Sequence, residues 1–597
     1  MSIFLNILNS LKLIKSLLLY IFLLHLSTSF SQKNDFIWEV STPDISLQDS
    51  ASRFGGTKLD FHYDPVRITF DWQIRSMDVL GTNAIYNDAE GNYRCMTNRT
   101  WIANRDHKPM LNGDPIFQDQ LGELFYNNGT YHPQGVIFLP YPGKPDSVLL
   151  ITQNYLDGYG ESLGYCIIDI NAEGGRGAVV SDEYKVWPYK YRLGYITATR
   201  HANGRDWWLL LPGTETNKIY TFLVHPSGID LIQEPNIGLL ISANKTDGQA
   251  KFNPDGSQYA ILESEFGSEI AMVHLFDFDR CTGVLSNQMT DTIPSEITEL
   301  GHGLTFSYRG DYLYANTAYD LFQYNLKDND LSHKTFIQAY DGAVESYPAG
   351  DISILLGYTA LGPDGMIYMC TASSVPYLHR IRAPEKEGED CNFIQRDFKI
   401  KVNYQSIPNF VNYRLGALEG SSCDTLGILN RPIARFTTRK LLEQGLEIVD
   451  LSFNNPTTYT WSLNGIEFSS LSDPDQISID TTVDNTICLI VSNSYGADTL
   501  CKTLKARLPS ATIDLFEMDI QVFPNPSSGI FYIGLDSYQD IPKQIKVFDV
   551  NSNLVLSKKQ NDQILKIDLS SKASGIYYIN LFDDFGRIIY YEKLIKI

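Results

Sequence analysis

A strand–turn–strand phrase recurs at intervals of roughly 50 residues between positions 60 and 430, and this repeat constrains the fold more than any other feature. Its clearest copies are Ala250-Lys251-Phe252-Asn253-Pro254-Asp255-Gly256-Ser257-Gln258-Tyr259-Ala260, Gly303 to Tyr314, and Tyr358 to Met369. Each has a short apolar strand, a turn built on Pro-Asp-Gly or Arg-Gly-Asp, and an alternating aromatic strand. Proline presets one turn angle and glycine supplies the positive one, so the turn has a physical cause. Weaker copies fall at Ala84 to Thr97, Gln134 to Thr152 and Thr197 to Leu211, the last with a hairpin-forming Asn203-Gly204.

Second hairpins follow several copies, as at Val273 to Asp279 and Leu321 to Leu326, so each repeat predicts a four-stranded unit. The expected fold is all-β. A β-propeller of seven blades, in preference to six, is the architecture that such a repeat builds. The seventh blade is expected to close by Phe61 to Phe70 joining Ser406 to Leu415, which would leave no exposed sheet edge. The 36 Tyr and 30 Phe fit a strand-rich chain.

Beyond the repeat the phrasing changes. Residues 432–508, with Tyr459-Thr460-Trp461 and Ile487 to Gly496, have the length of a small two-sheet sandwich around one tryptophan. A hairpin at Ser494 and Tyr495 sets Cys488 opposite Cys501, to be read either as a disulfide or as two small buried residues. Residues 509–518 read as a linker, and 519–597 as a last sandwich-like unit. The repeat region is bounded at 32–431.

Residues 1–31 read as a signal peptide: Lys12 and Lys15 precede an apolar run from Ser16 to Leu26, then Ser29-Phe30-Ser31 supplies the small residues of a cleavage site. That run is about half the ~20 residues of a membrane span, and no later stretch is long enough. Formal net charge is −22, and becomes about −24 once Lys12 and Lys15 leave with the leader. Such a surface repels phosphate backbones and anionic lipid, which argues against nucleic acid or a membrane surface as partner. Eight cysteines without a CxxC pair suit an oxidising compartment and give no zinc spacing.

The last unit runs Val522-Phe523-Pro524-Asn525-Pro526-Ser527-Ser528-Gly529, then Ile545 to Val550, Ile567 to Ser570, Ser574-Gly575-Ile576-Tyr577, and Lys593 to Ile597 with Lys596. It closely resembles the C-terminal sorting domain of type IX secretion substrates in Bacteroidetes, departing from it at Ser552-Asn553. The resemblance implies a translocon and a surface peptidase as partners, and a protein released or held at the outer-membrane surface after export to the periplasm. Residues 432–508 resemble PKD-type or related immunoglobulin-like modules on the Tyr-x-Trp and Val-x-Asn-x-x-Gly phrases. The repeat region resembles the propeller-like ectodomains of such secreted proteins on Thr197 to Trp208, Leu275 to Asp279 and Asn409 to Gly416, and this implies no activity.

Chemistry is weakly signalled. Gly160-Glu161-Ser162-Leu163-Gly164 has hydrolase-elbow spacing but precedes a strand, with no helix following. His201, Arg205 and Asp206 flank a hairpin tip and read as turn residues. Asp328-Asn329-Asp330 lacks the glycine and glutamate of a calcium loop. Gly174 to Gly177 lacks the lysine of a phosphate loop. No catalytic, metal or cofactor residue is assigned and no cofactor is expected. Trp207 and Trp208 begin a return strand, so alternation sends one inward and offers the other for stacking on a sugar. The expected role is a non-enzymatic surface module that binds a glycan or protein. Its alternatives are an extracellular hydrolase or lyase using the propeller channel, and a structural or adhesive surface component.

Overall fold

The computed structural model describes residues 32–597 apart from 41–53, 242–245, 296–300, 441–444, 505–520, 535–543, 551–552, 560–564, 583–587 and a few single or paired positions. The leader and the 509–518 linker lie outside the described residues. The chain is nearly all β, 54% strand and 3% helix.

Seven antiparallel sheets of three or more strands follow one another among the described residues from Ile37 to Asn403, with one two-stranded hairpin, Val344–Tyr347 and Gly350–Ser353, between the last two. The first is Ile37–Val40, Phe54–Asp60 and Arg67–Arg75, and the second Ala84–Asn87, Tyr93–Thr97 and Ile102–Asn104. The third opens with Val136–Pro140 and Ser147–Leu156, the fourth with Thr197–Arg200 and Trp207–Pro212. The fifth is Thr246–Phe252, Gln258–Glu265, Ile270–Asp279 and Val284–Pro294. Gly303–Phe306 and Tyr312–Asn316 open the sixth, Leu356–Leu361 and Ile367–Thr371 the seventh. Each of the six repeat phrases thus forms the first two strands of a sheet. Alternation sets successive side chains on opposite faces, and inner strands such as Trp207–Pro212 and Tyr312–Asn316 are buried on both because the sheets stack on one another.

The stacking runs in sequence order. Tyr86 and Ile102 of the second sheet meet Phe138 and Leu150 of the third. Ile137 and Ile151 meet Trp207 and Leu209 of the fourth. Trp208 and Leu210 meet Tyr259 and Ile261 of the fifth. Leu262 and Val273 meet Leu304 and Leu313 of the sixth, whose Tyr314 and Leu321 meet Ile367 and Met369 of the seventh. Tyr358, Tyr368 and Leu378 of the seventh then pack on Trp38, Val40 and Leu59 of the first. The first is tied to the second by Asn83 Nδ2, which donates to the Glu39 carbonyl at 2.7 Å.

The expected closure is corrected in one respect. Ser406 to Leu415 forms no strand; Ile37–Val40 pairs with Phe54–Asp60 instead. The 405–413 segment crosses the first strands of several sheets. Asn409 Nδ2 donates to the Val136 and Ile196 carbonyls, each at 3.0 Å, Asn412 Nδ2 to that of Pro254 at 2.6 Å, and the Tyr413 hydroxyl to that of Phe138 at 3.1 Å.

Two further two-sheet units follow. In the first, Phe436–Lys440 and Gly445–Asp450 face Thr458–Leu463, Asn485–Asn493 and Gly496–Leu504 across Phe436, Ile448, Trp461 and Leu489. In the second, Gln521–Phe523, Ile530–Gly534 and Leu565–Asp568 face a sheet of Gln544–Asp549, Leu554–Lys559, Gly575–Phe582 and Ile588–Lys596.

Candidate functional site

The turns of the three strongest repeat phrases meet at one cavity of about 840 Å³. The fifth sheet contributes Pro254 and Asp255, the sixth Tyr308 and Arg309, and the seventh Pro363 and Gly365. Segment 410–418 forms a second wall, and residues 450–456 with Tyr459, from the sandwich beyond Pro432, form a third. Cys281 and Cys423 are joined by a disulfide that staples the chain beyond Leu418 to the fifth sheet. Arg435 of the sandwich reaches the seventh-sheet turn at the Pro363 carbonyl and lies 4.6 Å from the Phe36 ring centroid.

The lining mixes aromatic faces with charge. Phe252, Tyr308, Phe410, Phe453 and Tyr459 are half-buried and line the cavity. Lys251, Arg280, Arg309, Arg414 and Arg435 line it together with Asp35, Asp255, Asp279 and Asp450. The carboxylates are occupied locally. Asp35 is paired with Arg414. Asp255 accepts from the Ser257 amide at 2.8 Å, Asp279 from that of Cys281 at 2.8 Å, and Asp450 from that of Ser452 at 3.0 Å. Burial raises the Asp450 carboxyl to about 6. Arg280 donates to the carbonyls of Arg200 at 2.8 Å, Asp255 at 3.3 Å and Gly416 at 2.5 Å, and burial lowers its guanidinium to about 10.

A second polar cluster joins the fifth, sixth and seventh sheets. Asp247 accepts from the amides of Gly301 at 2.5 Å and His302 at 2.9 Å, and from the Tyr358 hydroxyl. His302 sets Nδ1 2.9 Å from Asp247 Oδ2 and Nε2 2.9 Å from Ser295 Oγ, and it is fully buried. Burial alone would raise the Asp247 carboxyl, but hydrogen bonds from His302 and Tyr358 hold it below the ordinary range. Among the described residues, no three His, Cys, Asp or Glu side chains gather as metal ligands would.

The tryptophans singled out in the sequence are both buried. Trp207 is 0% and Trp208 2% exposed, with indole N–H groups donating to the Pro140 and Arg280 carbonyls. Alternation does set them on opposite faces, but neighbouring sheets cover both faces, so neither offers a ring to a sugar. Cys488 and Cys501 are disulfide-bonded across the hairpin. Ser162 lies within the strand Tyr159–Asp169 and accepts from Asn154 Nδ2 at 3.0 Å, away from any elbow. His201, Asn203 and Asp206 close their hairpin tip, as with the His201 amide donating to the Asp206 carbonyl at 2.8 Å. Sequence reasoning missed the cavity lining; its one available signal was that the strongest turns share a strand position.

In the C-terminal unit, motif residues far apart in sequence converge. Asn525 Nδ2 donates to the Lys593 carbonyl at 2.6 Å, and its Oδ1 accepts from the Ile595 amide at 2.8 Å. Pro524 and Pro526 flank Asn525 at the entry, and the Asn525-Pro526 bond is cis. Gly529 has φ +133°, and a Cβ there would lie 2.8 Å from the Ser570 Cα, so a side chain is excluded. Lys596 is 8% exposed and donates to the Ser570 carbonyl at 3.0 Å and to that of Lys572. Gly575 opens a strand in which the Tyr577 hydroxyl donates to the Ala573 carbonyl at 2.7 Å.

Residues 521–596 match the family described as the secretion system C-terminal sorting domain. This tail supports type IX export, interaction with that machinery, and a cell-surface or secreted destination. No helix among the described residues is long and apolar enough to cross a membrane. No curated protein matches the chain. Among solved structures, it is similar to a fungal alcohol oxidase of the AA5 family in complex with copper, at 8% identity and TM-score 0.29, over 78% of this chain and 97% of that one. It is also similar to an oligogalacturonate lyase in complex with manganese, at 11% identity and TM-score 0.28, over 53% and 81%. A third is a putative phosphatase from Bacteroides thetaiotaomicron, at 10% and 0.29, over 53% and 81%. Likenesses this distant transfer no property of those proteins to this chain.

Proposed function

We propose that this is a type IX-exported surface protein whose repeat region, a seven-bladed β-propeller over 32–431, binds a glycan without turning it over. An immunoglobulin-like module over 432–508 and the sorting domain over 519–597 complete it. The closed order of sheet contacts supports the propeller. The observation that carries the binding reading is the cavity between the propeller turns and the module. Its volume of about 840 Å³ is that of a small-ligand site, and half-buried aromatic faces with fixed polar groups are what a sugar ring needs. Each carboxylate lining it is engaged in an ion pair or a turn, which disfavours a general acid–base pair there. The 405–413 segment lies across the first strands, where a channel enzyme would need open space.

The hydrolase alternative rests on Ser295, His302 and Asp247, whose spacing is that of a nucleophile, base and orienting acid. Full burial of His302 favours a role in fastening the sheets. The test is to screen the chain from Gln32 onward against oligosaccharides and proteins, following binding and product release in the same wells. Saturable binding without product is expected. Released product would overturn the reading.

A further inference from the structure

One cation lining the cavity, Lys251, has no counter-ion among the described residues. Lys251 is in the first strand of the fifth sheet, opposite Ala260, and lines the cavity with its neighbour Phe252. Among the described residues its ammonium has no hydrogen-bond or ion-pair partner, and burial lowers it to about 8, so it stays largely protonated at neutral pH. Nearby, the Arg280 side chain donates to carbonyls and to no carboxylate. A partly desolvated charge without a counter-ion costs stability, and lysine could be replaced by methionine here at little steric cost. A chain of net charge −22 that keeps cations in an aromatic-lined cavity has arranged them against its own overall field.

We propose that Lys251, with Arg280, makes this cavity a site for an acidic oligosaccharide, one carrying carboxylate or sulfate on its sugar units. This rests on the binding reading above and narrows it. The half-buried rings of Phe252, Tyr308 and Phe453 would take the sugar faces, and the Lys251 ammonium the anionic group, which supplies the counter-charge that the protein itself omits. A charge-assisted hydrogen bond in a partly dry site is strong enough to discriminate the acid from its neutral ester. The global negative field does not forbid approach, because exposed charges more than about 8–10 Å away are screened at physiological salt.

The experiment is calorimetric titration of the chain from Gln32 onward with trigalacturonic acid, its methyl ester and a sulfated galactose disaccharide. The acid or the sulfated sugar should bind at least tenfold more tightly than the ester, and the two arms separate carboxylate from sulfate. Lys251→Met should abolish that difference while raising the thermal unfolding temperature, and Lys251→Arg should retain it. Binding of both the acid and the sulfated sugar no tighter than that of the ester, or an unchanged preference in Lys251→Met, would overturn the inference and leave the cavity as a neutral-glycan site. Failure of every sugar to bind, or release of product, would overturn the binding reading and this inference with it.

Discussion

Arg414 donates to the Asp35 carboxylate across 379 positions of sequence, and the pair forms part of the cavity wall. Asp35 is buried, with only 8% of its side chain exposed, so this pair joins the 410–418 segment to the start of the first sheet where water screens little. Arg414→Met leaves the carboxylate buried and alone. It should cost about 3–5 kcal/mol in urea unfolding, and the double variant Asp35→Asn, Arg414→Met should recover more than half. An unchanged single variant would show that the pair fastens nothing.

Asp450 supplies a pH signature. Its folded-state value is raised to about 6 from an ordinary 3.8. Between those values the folded chain holds a proton that the unfolded chain has released. The penalty is therefore absent at low pH, and develops fully once pH rises past about 6. Asp450→Asn, which keeps an oxygen for the Ser452 amide, should stabilise the protein at pH 7.5 by about 1–3 kcal/mol and gain nothing near the carboxylate's ordinary value. Equal stabilisation at both pH values would contradict this.

Ser295 separates the two functional readings. If its bonds to His302 and, through it, to Asp247 fasten sheets, Ser295→Ala leaves a buried ring nitrogen unsatisfied and costs about 1–3 kcal/mol. The wild-type chain should then resist a fluorophosphonate probe. Stoichiometric labelling at Ser295, lost in Ser295→Ala, would establish a nucleophile and overturn the fastening role.

The sorting motif makes a structural prediction as well as a cellular one. Asn525→Ala removes both hydrogen bonds to the last strand, a loss of about 1–3 kcal/mol within that unit. Cells carrying it should accumulate periplasmic precursor at the expense of surface or medium. Wild-type export of a demonstrably destabilised tail would show that the translocon does not read this fastening.

Much of this was legible because it is local. The Pro254-Asp255-Gly256 turn and its relatives act within ten residues, so six of the seven sheets could be placed by phrase alone. The first sheet was legible only in part: Phe61 to Phe70 overlaps its last strand, Arg67–Arg75, but Ile37–Val40 is a four-residue strand with no turn signal, and its partner begins only at Phe54. Ser406 to Leu415 reads as a strand because closing the ring calls for one there, yet Asn409 and Asn412 spend their side chains on carbonyls of other segments. Trp207 and Trp208 were misjudged for a related reason: alternation fixes which face a residue takes, whereas exposure depends on which sheets stack there. Cys281 and Cys423, 142 residues apart, carry no local signal at all, and the cavity they help to close is legible only once the three turns are seen to meet.

The most direct test of the account is hydrogen exchange of the chain from Gln32 onward, with and without a saturating acidic oligosaccharide. Protection should concentrate at 252–257, 410–418 and 450–459, the three walls of the cavity, with the sorting domain unchanged. Protection centred instead on Asp247, His302 and Ser295, or none at all, would contradict the claim that this cavity is where the exported protein meets its ligand.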